Sequence, residues 1–447
     1  MRRLLLPIAA LLISDALLLA GHGLQLTLLP LRGAIEGFSD TEIGLTGSAY
    51  FLGFVAGCLI TPWIVRRAGH IRSFAVLASG FSALVLMFDL LPVFWFWMLL
   101  RFVTGACISG LYMIIESWLN ERATRETRGT VLSVYTIINL SMIVVGQQLV
   151  NLASPEASTL FAVAAILLSV AIIPVSMTTA LAPAPLVRVK ISPRKAWRLS
   201  RVGVGGAVAA GLATGAFWSL GPLYARNVGM DTYQLTLFMS SAVLGGAALQ
   251  FPLGRLSDHY DRRLVVLGAA VVGAALSVAL GVIPDLSGWL RIGLAFFWGG
   301  STMTLYAICL AHANDRAQPK DFVMIGSSIL LTYGVASAIG APLAALAMRF
   351  FGGEGLFLFA GVVLALLALG VLKRRRTHYL PVVDETVPFR AVADVTTPGA
   401  LEMDPRMEAE PIPEPEPRPN EPSEESSASS DASTKDEAVD DTDKGPR

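Results

Sequence analysis

Gly110-Leu111-Tyr112-Met113-Ile114-Ile115-Glu116-Ser117-Trp118-Leu119-Asn120-Glu121-Arg122-Ala123-Thr124-Arg125-Glu126-Thr127-Arg128-Gly129 reads as an apolar helix arriving at a charged loop. Glu116 is the one acid in the apolar part. Beyond Trp118 come Arg122, Arg125 and Arg128. That is the pattern of a membrane helix reaching the cytoplasm, with Trp118 as interface anchor and the arginines as positive-inside signal. The passage returns. Leu111-Tyr112-Met113-Ile114 reappears as Leu305-Tyr306-Ala307-Ile308, and Asn120-Glu121-Arg122-Ala123 as Asn314-Asp315-Arg316-Ala317, both 194 residues on. The chain reads as a duplication.

Composition agrees with a polytopic membrane protein. Of 447 residues, 54% are hydrophobic and mean hydropathy is +0.60, against about 45–50% apolar for soluble domains. Apolar runs of about 20 residues, the length that spans a bilayer, recur. The formal net charge of zero hides an asymmetry: residues 1–376 carry +12 and residues 377–447 carry −12. Cys58, Cys107 and Cys309 lie singly in apolar segments and read as packing residues. Arg2-Arg3 before Leu-rich sequence could pass for a signal peptide. Asp15 and the continuation to Pro30 favour a first membrane helix with a cytoplasmic start.

Twelve helices are predicted, at 4–30, 42–65, 73–91, 94–119, 129–151, 157–180, 202–225, 232–254, 264–283, 289–312, 322–347 and 355–372. Basic residues of the loops and ends of the body divide 23 against three between the even and odd sides, the three being Arg32, Arg226 and Arg349. Both termini are therefore expected in the cytoplasm of a cytoplasmic (inner) membrane protein. The basic, proline-containing segment 181–201 separates six-helix bundles at 1–180 and 202–376. With an offset of 192, Gly23 meets Gly215, Pro30 meets Pro222, Gly37 meets Gly229 and Gly53 meets Gly245. An even number of helices precedes the second copy, so the copies share one orientation. Residues 377–447, rich in Pro, Glu and Ser, read as a disordered acidic cytoplasmic tail.

Ionisable groups in hydrocarbon are costly and mark functional candidates. Four stand out within the predicted spans, all in the first half: Asp15, His22, Arg101 and Glu116. Their repeat partners are Ala207, Thr214, Ala295 and Leu310, so the scaffold can be built without them. Asp15 and His22 lie two helical turns apart on one face, about 10 Å along the axis, and Gln25 extends the stripe. Asp15, His22 and Glu116 are candidates for a proton relay. Arg101, Gly105, Tyr112 and Glu116 share a face of helix four. Arg101 and Glu116 lie about 22 Å apart along it, so each needs a partner elsewhere. Arg101 could hold an anionic group, pair with Asp15 or snorkel to the interface. Glu116 could carry a proton or latch to a basic loop residue such as Arg67. Tyr135, Asn139 and Gly146 share a face of helix five, and Trp218, Gln250, Tyr306, Thr332 and Tyr333 are neutral candidates for a solute-binding wall.

Several motifs carry a family resemblance. Gly254-Arg255-Leu256-Ser257-Asp258-His259-Tyr260-Asp261-Arg262-Arg263 resembles the Gly-x-Leu-Ala-Asp-x-x-Gly-Arg-Arg loop of the major facilitator superfamily, with Asp261 in place of glycine. Its first-half copy, Pro62 to Gly69, has Arg66 at the acidic position. Arg101-x-x-x-Gly105 resembles the family's fourth-helix motif, and Glu121 with Arg128 its Glu-x6-Arg spacing. The series Arg101, Glu116-Ser117, Arg128-Gly129 and Gly146-Gln147 resembles the YcaD-like branch of permeases. The Gly-Pro-x-x-Gly-Gly motif of proton-coupled drug antiporters is absent from helix five. The resemblance implies that helices one, four, seven and ten line a central cavity, and that Arg67, Glu121, Arg128, Asp258, Arg262 and Arg263 gate its inner face.

The expectation is an all-α protein of twelve transmembrane helices in two parallel six-helix repeats, the major facilitator fold. It would work as a monomeric symporter or antiporter for a small organic solute, with protons as the coupling ion. The substrate-binding candidates are Gln25, Arg101, Tyr112, Asn139, Trp218, Gln250, Tyr306 and Tyr333. No metal, cofactor, nucleic acid or enzymatic chemistry is expected. An efflux pump running by proton antiport and a transporter-fold sensor signalling through the acidic tail remain open alternatives.

Overall fold

The computed structural model describes residues 8–124, 127–177, 191–283, 285–318 and 321–377. Twelve helices within them are long and apolar enough to cross a membrane: α1 (Ala9–Ile35), α2 (Asp40–Ala68), α3 (His70–Leu90), α4 (Phe94–Arg122), α5 (Arg128–Leu152), α6 (Thr159–Ser176), α7 (Arg201–Asn227), α8 (Thr232–His259), α9 (Arg262–Val282), α10 (Gly288–Asn314), α11 (Phe322–Phe351) and α12 (Gly355–Arg374). The chain is an all-α multi-pass membrane protein. A short helix, Pro193–Leu199, precedes α7. The acidic tail beyond 377, residues 181–190 of the expected linker, and Arg2, Arg3, Arg125 and Lys320 lie outside the described residues.

Several helices extend past the ends read from the sequence, α1 and α4 among them. α1 continues through Pro30 to Ile35; a membrane helix tolerates the lost N–H where neighbouring structure supports it. α4 continues past Trp118 to Arg122. Trp118 is fully buried, with its ring edge-on to His70 at 6.1 Å. It packs inside the protein and does not anchor the interface.

The two halves start their second helices in the same way. Gly37 and Gly229 hold φ of +85° and +79°, a region that glycine enters freely. Two residues on, Ser39 caps α2, accepting from the Glu42 N–H at 3.3 Å, and Asp231 caps α8, accepting from the Gln234 N–H at 2.7 Å.

The helix crossings repeat in register. Gly23 on α1 meets the Ile143 backbone on α5, and Gly215 on α7 meets Ser337 on α11. Gly146 meets the Ala20 carbonyl, and Gly340 the Leu212 carbonyl. Between α2 and α4, Gly53 meets Phe102 and Gly105 meets Tyr50; between α8 and α10, Gly245 meets Phe296 and Gly299 meets Ala242. Each first-half pair maps onto its second-half pair with an offset of 192 on the first two helices and 194 on the fourth and fifth. The step between the offsets falls in one connection, residues 91–93 in the first half against 283–287 in the second.

The halves meet along two related seams, α2 against α11 and α8 against α5. Ser48 donates to the Ala338 carbonyl at 2.6 Å, and its repeat partner Ser240 donates to Gln147 Oε1 at 3.0 Å. Gln148 Nε2 donates to Ser240 Oγ at 2.7 Å, and Asn151 Nδ2 to Thr236 Oγ1 at 2.9 Å. These contacts lie toward the face opposite the arginine-rich loops, where α2 and α8 begin and α5 ends.

Candidate functional site

At the junction of the halves, nine residues line one small pocket: His22 and Leu26 from α1, Tyr50 and Phe51 from α2, Arg101 and Tyr112 from α4, Ile143 from α5, and Trp218 and Ser219 from α7. The crossings explain the assembly. Gly105 lets α4 approach the Tyr50 carbonyl. Arg101, one turn earlier on the same face, then lays its guanidinium 4.5 Å over the Tyr50 ring. The Tyr50 hydroxyl lies 3.0 Å from His22 Nε2. Arg101 is 4% exposed, and its Nε and Nη1 have no hydrogen-bond partner among the described residues. The Trp218 indole N–H likewise has none.

Further along α1 and α4 lies an acid layer. Tyr135 donates to Glu116 Oε1 at 3.1 Å, and Asn139 Nδ2 donates to the Tyr135 carbonyl at 2.9 Å. α1 and α5 run parallel through the Gly23–Ile143 crossing. Asp15 and Tyr135 each sit eight residues before their crossing residue, so they share a level. Asp15 is fully buried, within electrostatic reach of Glu116 and Tyr135. Neither of its carboxyl oxygens has a hydrogen-bond partner among the described residues.

Three alternatives open from the sequence do not hold. Asp15 makes no ion pair with Arg101, whose guanidinium lies over the Tyr50 ring and within electrostatic reach of His22. Glu116 is buried, whereas Arg67 is exposed with its guanidinium 5.8 Å over Trp63; no latch joins them. Nor does Arg101 snorkel, since it is buried.

The remaining candidates disperse. Gln25 is buried on α1 and Gln250 on α8. The Tyr306 and Tyr333 rings stand 5.0 Å apart, and Tyr333 pairs with Thr214 Oγ1 at 2.7 Å. Both belong to the core of the second half and do not line the pocket with Trp218. On the arginine-rich face, Arg262 Nη2 pairs with Asp258 at 3.3 Å and Arg262 Nε with Asp315 at 2.7 Å. Arg263 donates its backbone N–H to the capping Asp261. Arg316 is held against His312; burial and the nearby Arg263 push it below the usual arginine range. In the first half Glu121 is exposed and Arg128 half-buried.

Some residues escaped the sequence reading. Tyr50 carries both Arg101 and His22, but a tyrosine in an apolar helix has no signal to separate it from packing aromatics. Two ionisable residues of the second half, Arg291 and His312, also lie within the predicted span 289–312. Arg291 is 5% exposed and donates to Tyr224 Oη at 2.6 Å, and His312 is also buried. The spans of the second half are therefore not free of ionisable groups.

The family model described as Major Facilitator Superfamily matches residues 11–203 and 203–396. The chain belongs to the Major Facilitator Superfamily. A curated relative, the MFS-type transporter YcaD of Escherichia fergusonii, is 29% identical over 378 residues, covering 84% of this chain and 98% of the relative. Among solved structures, the nucleoside transporter NupG superposes with a TM-score of 0.69 at 12% identity, covering 83% of this chain and 99% of that one. The D-xylose-proton symporter gives 0.62 at 13% identity, covering 82% and 97%. These superpositions establish a shared fold.

Proposed function

We propose that this protein is a secondary active transporter that moves a small organic solute across the cytoplasmic membrane by alternating access, with protons as the coupling ion. The observation that carries the reading is the pocket. Seven of its nine lining residues belong to the first half and two, Trp218 and Ser219, to the second. Rocking one half against the other separates its walls. The seams at Ser48 and Ser240 close the pathway on one face, and the Asp258–Arg262–Asp315 chain, with Arg263, Arg67, Glu121 and Arg128, would govern the other. In this account 1–180 and 202–376 are the moving bodies, 181–201 is a cytoplasmic link, and both termini are cytoplasmic.

Proton coupling rests on Asp15 and Glu116. A carboxyl sealed from water holds its protonation state, and it exchanges a proton when a conformational change admits water. His22 lines the pocket from the middle of the same helix, two turns from Asp15, and would tie the solute site to the acid layer. That a D-xylose-proton symporter shares the fold is consistent with this device.

The test is a thermal-shift screen of the purified protein against metabolites and drugs at pH 6 and pH 8, followed by reconstitution. Ligand at 100 times its dissociation constant stabilises by about 2.7 kcal/mol. The expected result is a stabilising solute that accumulates in proteoliposomes under an imposed pH gradient. A bound solute that never crosses the membrane, under any gradient, contradicts transport.

A further inference from the structure

We propose that the pocket takes an organic monoanion: a carboxylate or equivalent acid on a small apolar or aromatic body. The inference deepens the transporter reading and rests on it for its biological meaning, while its test is binding.

The pocket has a surplus of donors. Arg101 faces it with Nε and Nη1 unmatched, and Trp218 faces it with an unmatched indole N–H. Ser219 already donates to the Gly215 carbonyl at 2.8 Å, and His22 Nε2 is engaged with Tyr50. The Tyr50 ring beneath Arg101 offers its face to the cation, but a ring face leaves the in-plane N–H groups of a guanidinium without acceptors. Ion pairs such as those of Arg32, Lys195 and Arg262 lie elsewhere. The carboxyl of Glu116 lies fifteen residues along α4 from Arg101, about 22 Å by helical rise, and Asp15 lies at the same acid layer. Neither lines the pocket.

Arg291 sharpens the point. It is buried as deeply as Arg101, yet it donates to Tyr224 Oη at 2.6 Å, to the Leu280 carbonyl at 3.4 Å and to the Leu286 carbonyl at 3.2 Å. A structural arginine in this fold is supplied with acceptors. Arg101 is not, and its unmatched edge meets a cavity. A ligand that completes the site must bring acceptor oxygens and negative charge, the pairing in which the guanidinium fork is strongest. Tyr112 adds a phenol, and the other walls, Leu26, Phe51 and Ile143, are apolar. The pocket as it stands, about 20 Å³, has room for little more than a water, and a hydrocarbon or ring is seated as the halves part. With a single cation on the lining, a second negative charge would face apolar side chains. A cationic solute would face Arg101 itself.

The experiment uses the purified full-length protein. Binding of benzoate, phenylacetate and hexanoate is measured by thermal shift and tryptophan fluorescence, each acid beside its uncharged amide and an amine of like size. The acids are expected to bind and the amides and amines not. Arg101→Gln should weaken acid binding roughly 10- to 150-fold, as expected for a lost hydrogen bond to a charged group. Arg101→Lys should restore part of it, and Trp218→Phe should cost roughly tenfold. If Arg101→Gln fails to fold, the lysine and Trp218 variants carry the test. The inference is overturned if no acid binds at millimolar concentration, if acids bind no better than their amides, or if binding is unchanged in Arg101→Gln and Trp218→Phe. Accumulation of a neutral or cationic solute without acid binding would overturn it and leave the transporter reading intact. Arg101-dependent acid binding without flux under any gradient would sustain it and overturn the transporter reading.

Discussion

Arg101 on α4 and Arg291 on α10 belong to corresponding helices of the two halves and are almost equally buried, at 4% and 5% exposure. They are not repeat partners. Arg291 takes the place of Trp97, 194 residues earlier. Trp97 Nε1 donates to the Phe88 carbonyl at 3.0 Å, and Arg291 Nη1 donates to the carbonyl of Leu280, the partner of Phe88. Arg291 thus does the structural work of a tryptophan, tying the end of one helix to the next. Arg101 replaces an alanine and meets a pocket. Burial alone does not separate a working charge from a structural one; the supply of partners does.

The same contrast runs through both halves. Their crossings at Gly23 and Gly215, Gly146 and Gly340, Gly53 and Gly245, and Gly105 and Gly299 are in register, so the backbone frame is common. The chemistry is not. Asp15, His22 and Glu116 stand opposite Ala207, Thr214 and Leu310. Thr214 keeps a hydrogen bond to a tyrosine, Tyr333, as His22 does to Tyr50, but the second-half pair lies in a packed core.

Exchanging the two arginines' fates is the strongest way to break this comparison. Arg101→Gln should reduce transport by roughly 10- to 150-fold, the scale of a lost charge-assisted contact, with stability unchanged or raised. Arg291→Gln should leave solute affinity near wild type and lower unfolding stability by about 1.5–3 kcal/mol. Parallel flux and thermal-denaturation measurements check both; equal effects of the two variants on transport would erase the distinction. A smaller effect tests the shared frame. Gly146→Val and Gly340→Val each drive a side chain into a facing carbonyl and should destabilise by about 1–3 kcal/mol, to a similar degree. A cost confined to one half, seen in melting temperature, would mean the crossings are not equivalent. Smallest are the caps. Ser39→Ala and Asp231→Ala should each cost about 1 kcal/mol, read by the same melts.

Much of the frame was legible. Hydropathy marks the twelve spans because bilayer thickness sets their length. The duplication is visible because glycines at helix crossings cannot be exchanged for larger residues without moving a backbone. The change of offset from 192 to 194 is visible in the sequence, and its cause is the longer connection at 283–287. The site was legible only in part. Asp15, His22, Arg101 and Glu116 stand out by charge, but a helical period shows which residues share a face and not what that face meets. Hence the sequence does not single out Tyr50, leaves Glu116 between a proton carrier and a latch to a loop residue such as Arg67 without pointing to Tyr135, and puts Tyr306 and Tyr333 on a solute wall. Trp118 looked like an interface anchor because a tryptophan at a helix end beside arginines has that signature; the packing of α3 against α4 buries it.

The central claim, that the first half supplies the coupling chemistry within a frame both halves share, is tested most directly with Asp15→Asn. The substitution keeps the side chain's size and removes its acid. The solute found by thermal shift is followed into proteoliposomes under an imposed pH gradient and, separately, in exchange with solute already inside. The account predicts that wild type accumulates solute against its gradient, while Asp15→Asn exchanges it at a comparable rate but only equilibrates. Undiminished, gradient-driven accumulation by Asp15→Asn would contradict it.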